Sequence, residues 1–297
     1  MGVRSAATVL GPRTMVEGGL TPEQSAARQV PAREPLSVCV ICCDEEANIR
    51  ACLQSVAWAD EIVVVDSGSR DNTVAIAREF TPRVIYHAWP GWVEQKNFAL
   101  EQATYEWVLC IDADERVSPE LAREIQRELE RIRAGDSHAV GYSMPRRTFY
   151  LGRWISHGGW YPDRKVRLFR RSLGRWAGVN PHDHVRINGA VIALRGDLLH
   201  YTYRDIADHL DRINRYTSVA AREMLARRQR LPLFHMLFNP PLRFLRMYVF
   251  QRGFLDGLAG FIIAVLAAYY VFLKYVKLWE LYRRNAETGT SDHGKAI

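Results

Sequence analysis

Trp107-Val108-Leu109-Cys110-Ile111-Asp112-Ala113-Asp114 is an apolar run that ends abruptly in two carboxylates one residue apart. The run has the length of one buried strand. A strand buried on both faces cannot hold two ionised carboxylates, so they must emerge at its C-terminal tip. In an open α/β sheet that tip is where ligands bind. Two hard oxygen donors there suit a divalent cation that keeps positions free for a phosphate. The octet therefore points to a metal-bound diphosphate.

The flanking sequence supplies the rest of such a sheet. Leu36-Ser37-Val38-Cys39-Val40-Ile41-Cys42 reads as a buried strand followed by a helix over 45–56. Glu61-Ile62-Val63-Val64-Val65 reads as a second buried strand ending at Asp66, after which Asp71 or Asn72 caps a helix to residue 80. A short strand over 83–86, a helix over 93–102 and the 107–111 strand follow. Ser118-Pro119-Glu120 then opens a helix in the favoured order of cap, proline and acid. This alternation predicts an α/β fold with a mostly parallel, Rossmann-like sheet flanked by helices.

Beyond residue 135 the pattern changes. Short strands are expected over 139–144, 166–169 and 191–194, between loops rich in Trp, His, Gly and Arg that suit a binding surface. Over 205–228 apolar residues recur at helical spacing. Residues 234–250 are aromatic and basic, and 258–273 carry no charge but fall short of the roughly twenty residues of a bilayer span. A basic amphipathic segment of this kind suits a helix in the membrane interface; a buried hairpin and a true span are the alternatives.

The net charge is +7 over 297 residues, and 204–284 holds fourteen Lys/Arg against six Asp/Glu. That excess could face nucleic acid, an anionic membrane or a phosphorylated acceptor. All five cysteines lie between Cys39 and Cys110 without zinc spacing, which predicts reduced thiols and a cytoplasmic protein. Residues 1–35 show no period and no signal-peptide core, and are expected to be a disordered extension.

No G-x-x-x-x-G-K-[ST] loop and no G-x-G-x-x-G after a first strand is present, which removes the main support for P-loop and dinucleotide readings. Instead, the tips of strands one, two and four present Asp44-Glu45, Asp66 and Asp112/Asp114. Acids at such tips can accept from a base N–H and ribose hydroxyls while a metal bridges the phosphates.

Here a resemblance becomes specific. Val40-Ile41-Cys42-Cys43-Asp44-Glu45-Glu46-Ala47-Asn48-Ile49, Val64-Val65-Asp66-Ser67-Gly68-Ser69-Arg70-Asp71-Asn72-Thr73 and Ile111-Asp112-Ala113-Asp114-Glu115 together resemble a family 2 glycosyltransferase. The likeness is strong over 36–176. It implies the GT-A fold and inverting transfer of a sugar from a nucleotide-sugar donor. Gln95-Lys96-Asn97-Phe98-Ala99, the 161–169 segment and Gly253-Phe254-Leu255-Asp256-Gly257 resemble the branch that adds a β-glucose to the lipopolysaccharide inner core. Asp44 departs from the family, which usually has Asn there.

The resemblance implies roles residue by residue. Asp44, Glu45, Asp66, Lys96 and Asp112 would bind the nucleotide-sugar, with Asp66 on the base and Lys96 near the phosphates. Asp114, helped by Asp112 and His200, would hold Mg²⁺ or Mn²⁺ across the diphosphate. Inversion needs a base opposite the leaving group, and Asp183 in Asn180-Pro181-His182-Asp183-His184 is the first choice, with His182 second. A metal role for His182 and His184 requires that segment to be extended. Trp154, His157, Trp160, Tyr161 and Arg164 are expected in an acceptor loop, where rings suit the apolar faces of sugars.

The expected organisation is a disordered 1–35, a catalytic domain over 36–203, a basic membrane-associated helical extension over 204–284 and a flexible 285–297. The expected activity moves a hexose from UDP-glucose or a similar donor to a lipid-linked acceptor such as the lipopolysaccharide core. It would take place peripherally on the inner face of the cytoplasmic membrane, without nucleic acid. A polyprenyl-phosphate glycosyltransferase and a non-enzymatic basic nucleic-acid- or membrane-binding protein are the alternatives; the latter leaves the acidic tips unexplained.

Overall fold

A computed structural model describes residues 1–2, 32–179, 182–227 and 233–291. The chain divides into two units, Met1–Ala32 and Arg33–Ile297. Most of the extension expected over 1–35 lies outside the described residues.

Among the described residues the second unit begins with β1 (Leu36–Cys42), α1 (Ile49–Ser55), β2 (Glu61–Asp66), α2 (Thr73–Arg78), β3 (Val84–Tyr86), α3 (Trp92–Glu101) and β4 (Trp107–Asp112). It continues with β5 (Glu115–Val117), α4 (Pro119–Ala134), β6 (Gly141–Tyr150), β7 (Arg153–Trp154), β8 (Asp163–Arg170), β9 (Gly174–Val179), β10 (His182–Ile187), β11 (Val191–Ala193) and β12 (Leu198–His200). Three helices follow: α5 (Ile206–Ala226), α6 (Leu233–Leu245) and α7 (Gly257–Ser291).

The main sheet runs β3-β2-β1-β4-β8-β6-β12-β5. Its first four strands are parallel, and β8 then pairs antiparallel with both β4 and β6, so the sheet is mixed. The period of two in β1 sorts its side chains cleanly. Leu36, Val38, Val40 and Cys42 pack with Ile49 and Leu53 of α1 and Leu121, Ile125 and Leu129 of α4. Cys39 and Ile41 face the other way, toward Ala99 and Leu100 of α3 and Trp176 of β9. Burial on both faces is why β1, β2 and β4 are continuous apolar runs. It also drives their first polar residues out at the C-terminal edge. Cys39 and Cys110 are buried and unpaired.

The caps follow the local sequence. Ser118 Oγ accepts from Leu121 N at 3.1 Å, and Gly135, at φ 83°, closes α4 in the left-handed region open to glycine. Asp71 rather than Asn72 holds the start of α2, accepting from Thr73 N at 2.9 Å. β6 extends through Pro145, Arg146 and Arg147 to Tyr150, beyond the apolar residues that predicted it, because its backbone pairs with β8 up to Arg146 and with β12 from Arg146 to Thr148. The β9–β10 hairpin lies where a loop was expected. The Asn97 side chain of α3 pairs with both the N–H and C=O of Trp176 and so fixes β9.

The third cluster joins the helices to the loop before β8. Tyr150, Ile155 and Trp160 pack with Met247, Ile263 and Ala264. Asp256, 2% exposed, accepts from the N–H groups of Ser156 and His157. Close packing of Gly158 against Gly253 completes the contact. α7 does not stop with the uncharged run 258–273 but continues past Lys274 and Lys277 to Ser291. By length and composition alone, Gly253–Asn285 is long and apolar enough to cross a membrane.

His209 on α5 is buried beneath this loop, its Nδ1 2.8 Å from the Tyr150 hydroxyl. Burial, helped by the Arg212 charge, pushes its pKa down from 6.5 to about 4. The unfolded chain therefore binds the extra proton between those values. Stability from the neutral imidazole is complete above pH 6.5 and is lost as pH falls toward 4. Thermal unfolding of the wild type should fall more steeply between pH 7 and pH 4.5 than that of His209→Gln, by about 2–3 kcal/mol. Parallel pH profiles would contradict this account.

Candidate functional site

The β4 tip is a site because compensating charge reaches it from three other elements. Arg167 of β8 is 4% exposed and donates to Asp112 Oδ2 at 2.9 Å and to Glu115 Oε1 at 2.7 Å. Glu115 is fully buried and accepts from Asp112 N at 3.0 Å through its other oxygen. Lys96 of α3 lies 3.0 Å from Asp112 and 2.8 Å from Asp183 of β10. Beneath these cations, the Trp176 ring is 4.4 Å from Lys96 Nζ and 5.3 Å from the Arg167 guanidinium. Arg146 extends the network to Asp163.

Burial alone would raise the Asp112 pKa, but the Lys96 and Arg167 charges outweigh it and hold the carboxyl well below the usual range. Burial likewise disfavours a charged Arg167, and Glu115, Asp112 and Asp183 overcome it. The ions border a cavity of about 480 Å³ that also exposes Arg164, Lys165 and His184. A larger cavity of about 530 Å³, by Arg147, Trp154 and Arg195, reaches none of the acidic tips, so size alone does not locate the site.

The other predicted tip residues occupy the neighbouring edge. Asp66 is 4% exposed, and its Oδ2 accepts from Gly68 N at 2.8 Å and Ser69 N at 3.0 Å, fixing the turn after β2. Asp44, at φ 53°, accepts from Arg70 N at 2.7 Å through Oδ1. Glu45 accepts from Asn48 Nδ2, and burial, with the Asp114 charge adding, raises its pKa against that bond. These carboxylates shape one rim, and the Asp114 charge reaches Glu45 across it.

Asp114 and His200 meet, with Oδ2 and Nε2 3.3 Å apart. Asp112 is not with them; its oxygens face Lys96 and Arg167. Among the described residues no group of three or more His, Cys, Asp or Glu gathers around a metal position. The Asp114–His200 pair nevertheless fits a divalent ion as two neighbouring donors, leaving the remaining positions to phosphate and water. The imidazole donor favours Mn²⁺ over Mg²⁺ in this set.

Asp183 faces the cavity from β10, and the His182 side chain lies outside the described residues. The residues expected in one acceptor loop divide between surfaces. Arg164 lines the 480 Å³ cavity, and Trp160 lines an adjoining one of about 300 Å³ that also holds His200. Trp154 borders the 530 Å³ cavity, while His157 is held by Asp256 and Tyr161 by Asp197. Sequence reasoning missed Glu115, Arg146 and Trp176 as site residues, and took Arg167 for a group that could hold acceptor phosphates rather than the partner of Asp112 and Glu115. The available signal was an acid directly after the β4 octet and basic residues on β8; their pairing depends on strands about fifty residues apart in sequence coming together, Arg167 and Glu115 above all.

The Glycosyl transferase family 2 profile matches residues 37–189, from β1 through β10. The lipopolysaccharide core biosynthesis glycosyltransferase LpsC of Rhizobium meliloti (strain 1021) is 34% identical over 265 residues, covering 87% of this chain and 97% of its own. The uncharacterized glycosyltransferase RT0209 of Rickettsia typhi (strain ATCC VR-144 / Wilmington) is 30% identical over 270 residues, covering 87% of this chain and 91% of its own. Among solved structures, residues 1–349 of TarS from S. aureus superpose with a TM-score of 0.42 at 16% identity, covering 84% of this chain and 92% of that one. The helix-flanked mixed sheet is the GT-A fold, and the chain belongs to the glycosyl transferase family 2 enzymes.

Proposed function

We propose that the chain is an inverting hexosyltransferase that takes its sugar from a nucleotide-sugar, with UDP-glucose the donor of choice, and delivers it to a lipid-linked acceptor of the lipopolysaccharide core. The carrying observation is Lys96, which bridges Asp112 at the nucleotide edge and Asp183 on the hairpin opposite. The family relation to LpsC supports the acceptor class.

Asp66 and the Asp44–Glu45 turn receive the nucleoside, and Asp112 a ribose hydroxyl. Asp114 and His200 would hold Mg²⁺ or Mn²⁺, which when bound would supply charge neutralisation to the donor's diphosphate. Lys96 adds a cation from the other side. Its ammonium engages Asp183 at 2.8 Å, and a bound diphosphate would compete for it. Once released, the Asp183 carboxylate is free to accept the proton of the acceptor hydroxyl while Lys96 stabilises the departing phosphate. This exchange ties base availability to donor binding.

Exposed Phe234, Leu237 and Leu242 on α6, and Leu258, Phe261 and Val265 on α7, give the extension an apolar surface with Arg243 and Arg246 interleaved. Such a surface suits peripheral docking on the anionic inner face of the cytoplasmic membrane.

Nucleoside diphosphate release should require Mn²⁺ or Mg²⁺ and prefer UDP-glucose in a panel of UDP- and GDP-sugars. Asp114→Ala should lower it by roughly 100-fold or more; metal-independent turnover, or full activity in the variant, would remove Asp114 from its role. Asp183→Asn should lower transfer by roughly 100- to 10,000-fold while donor binding, measured by calorimetry, is retained or tightened, because the amide no longer competes as an anion for Lys96. Near wild-type transfer would show that another group takes the proton.

A further inference from the structure

A cavity of about 410 Å³ lies between α5, α6 and α7, outside the donor site. Trp160 and Tyr203 line both this cavity and the 300 Å³ cavity that contains His200, so the two share a wall. The second cavity in turn shares Arg146 with the donor cavity. Apolar side chains of α7, Ile263, Leu266 and Val271, form much of the far wall.

Three cations face the space: Arg212, Arg243 and Lys274. Arg212 has a partner in Asp208 at 3.3 Å. Among the described residues neither Arg243 nor Lys274 forms an ion pair with a carboxylate. Lys277, one turn further along α7, shows what a satisfied lysine looks like here. Its ammonium meets Asn214 O, Asn214 Oδ1, Thr217 Oγ1 and Ser218 Oγ of α5. Lys274 has no such set. Burial and the neighbouring Arg243 charge both disfavour its protonated form. Arg243 stands exposed at the cavity rim and Lys274 is half-buried; among the described residues no carboxylate pairs with either of these two positive charges, and an anion bound there would relieve their mutual repulsion.

We infer that this cavity binds the phosphoryl headgroup of an amphiphile, with Arg243 and Lys274 on the phosphate and the α7 wall against the first carbons of the tail. The inference rests on the lipid-linked acceptor reading and deepens it: the site would hold the acceptor's anionic group across the Trp160–Tyr203 wall from His200. A phosphate on the acceptor and one on a bulk membrane lipid share this chemistry.

The test is calorimetric titration of the full-length protein in a neutral maltoside detergent with dodecyl phosphate, inorganic phosphate and dodecanol. Dodecyl phosphate should bind at one site, and Arg243→Gln or Lys274→Gln should weaken it by about tenfold each. Ala267→Phe, which narrows the cavity and keeps both cations, should weaken it as well, and provides the reading should a charge variant fail to fold. Undiminished binding in all three variants would overturn the site, and equal affinity for inorganic phosphate would overturn the amphiphile. Competition of acceptor glycolipid with dodecyl phosphate assigns the site to the acceptor; competition by phosphatidylglycerol alone assigns it to bulk lipid and overturns the acceptor role. Donor hydrolysis, followed in parallel, reports on the catalytic site. Donor hydrolysis by a wild type that does not bind dodecyl phosphate would sink this inference alone, whereas a wild type that binds dodecyl phosphate but does not hydrolyse donor would sink the transferase reading.

Discussion

Arg167 is the residue on which the site depends. Its guanidinium joins Asp112 on β4 to Glu115 on β5 from a strand running antiparallel to β4. Without it, Asp112 would keep only Lys96 and the fully buried Glu115 only Arg146 at 3.4 Å, a cost of several kcal/mol for the buried acid. With it, the β4 tip keeps its charge, and Asp114 can project past the network toward His200. The same cation sits over Trp176, which the Asn97 amide positions through the β9 backbone. The hairpin carrying Asp183 is thus set by the contacts that stabilise the nucleotide edge.

The parallel half of the sheet was legible because burial on both faces leaves a plain trace, a run of Val, Ile, Leu and Cys that breaks at an acid. β1, β2 and β4 all show it, and their acids reached the same edge. α4 was legible through Ser118, Pro119 and Gly135, whose capping roles are local. The far half was harder to read. Arg146, Arg147 and Arg167 sit within strands, and in sequence they look like solvated positions. Arg167 is buried and Arg146 and Arg147 are half-buried against partners distant in sequence, information that a period of two does not contain. Glu115 shows the same limit, since one buried acid explained by a distant arginine resembles any acid at a strand end.

The division of labour among the site carboxylates is also sharper. Asp112 and Asp114 look interchangeable as a D-x-D pair, but β4 ends at Asp112 and Asp114 lies in the turn before β5, which gives them different neighbours. Asp112 belongs to the cation network and Asp114 to the imidazole. The aromatic loop before β8 is likewise no single platform. Asp256 and Gly253 secure it to the helical extension, so those helices and the rim of the His200 cavity share one packed cluster. Movement of α7 would be felt at Trp160, which gives the extension a route to influence the acceptor side.

Hydrogen–deuterium exchange of the full-length chain with and without UDP and Mn²⁺ tests the central claim, that the acidic strand tips form the donor site. Protection should concentrate in residues 43–48, 66–73 and 110–115, and in the hairpin segment 183–185. Protection centred instead on the cavity near Arg147, Trp154 and Arg195, or unchanged exchange at all three strand tips under saturating nucleotide, would contradict the account.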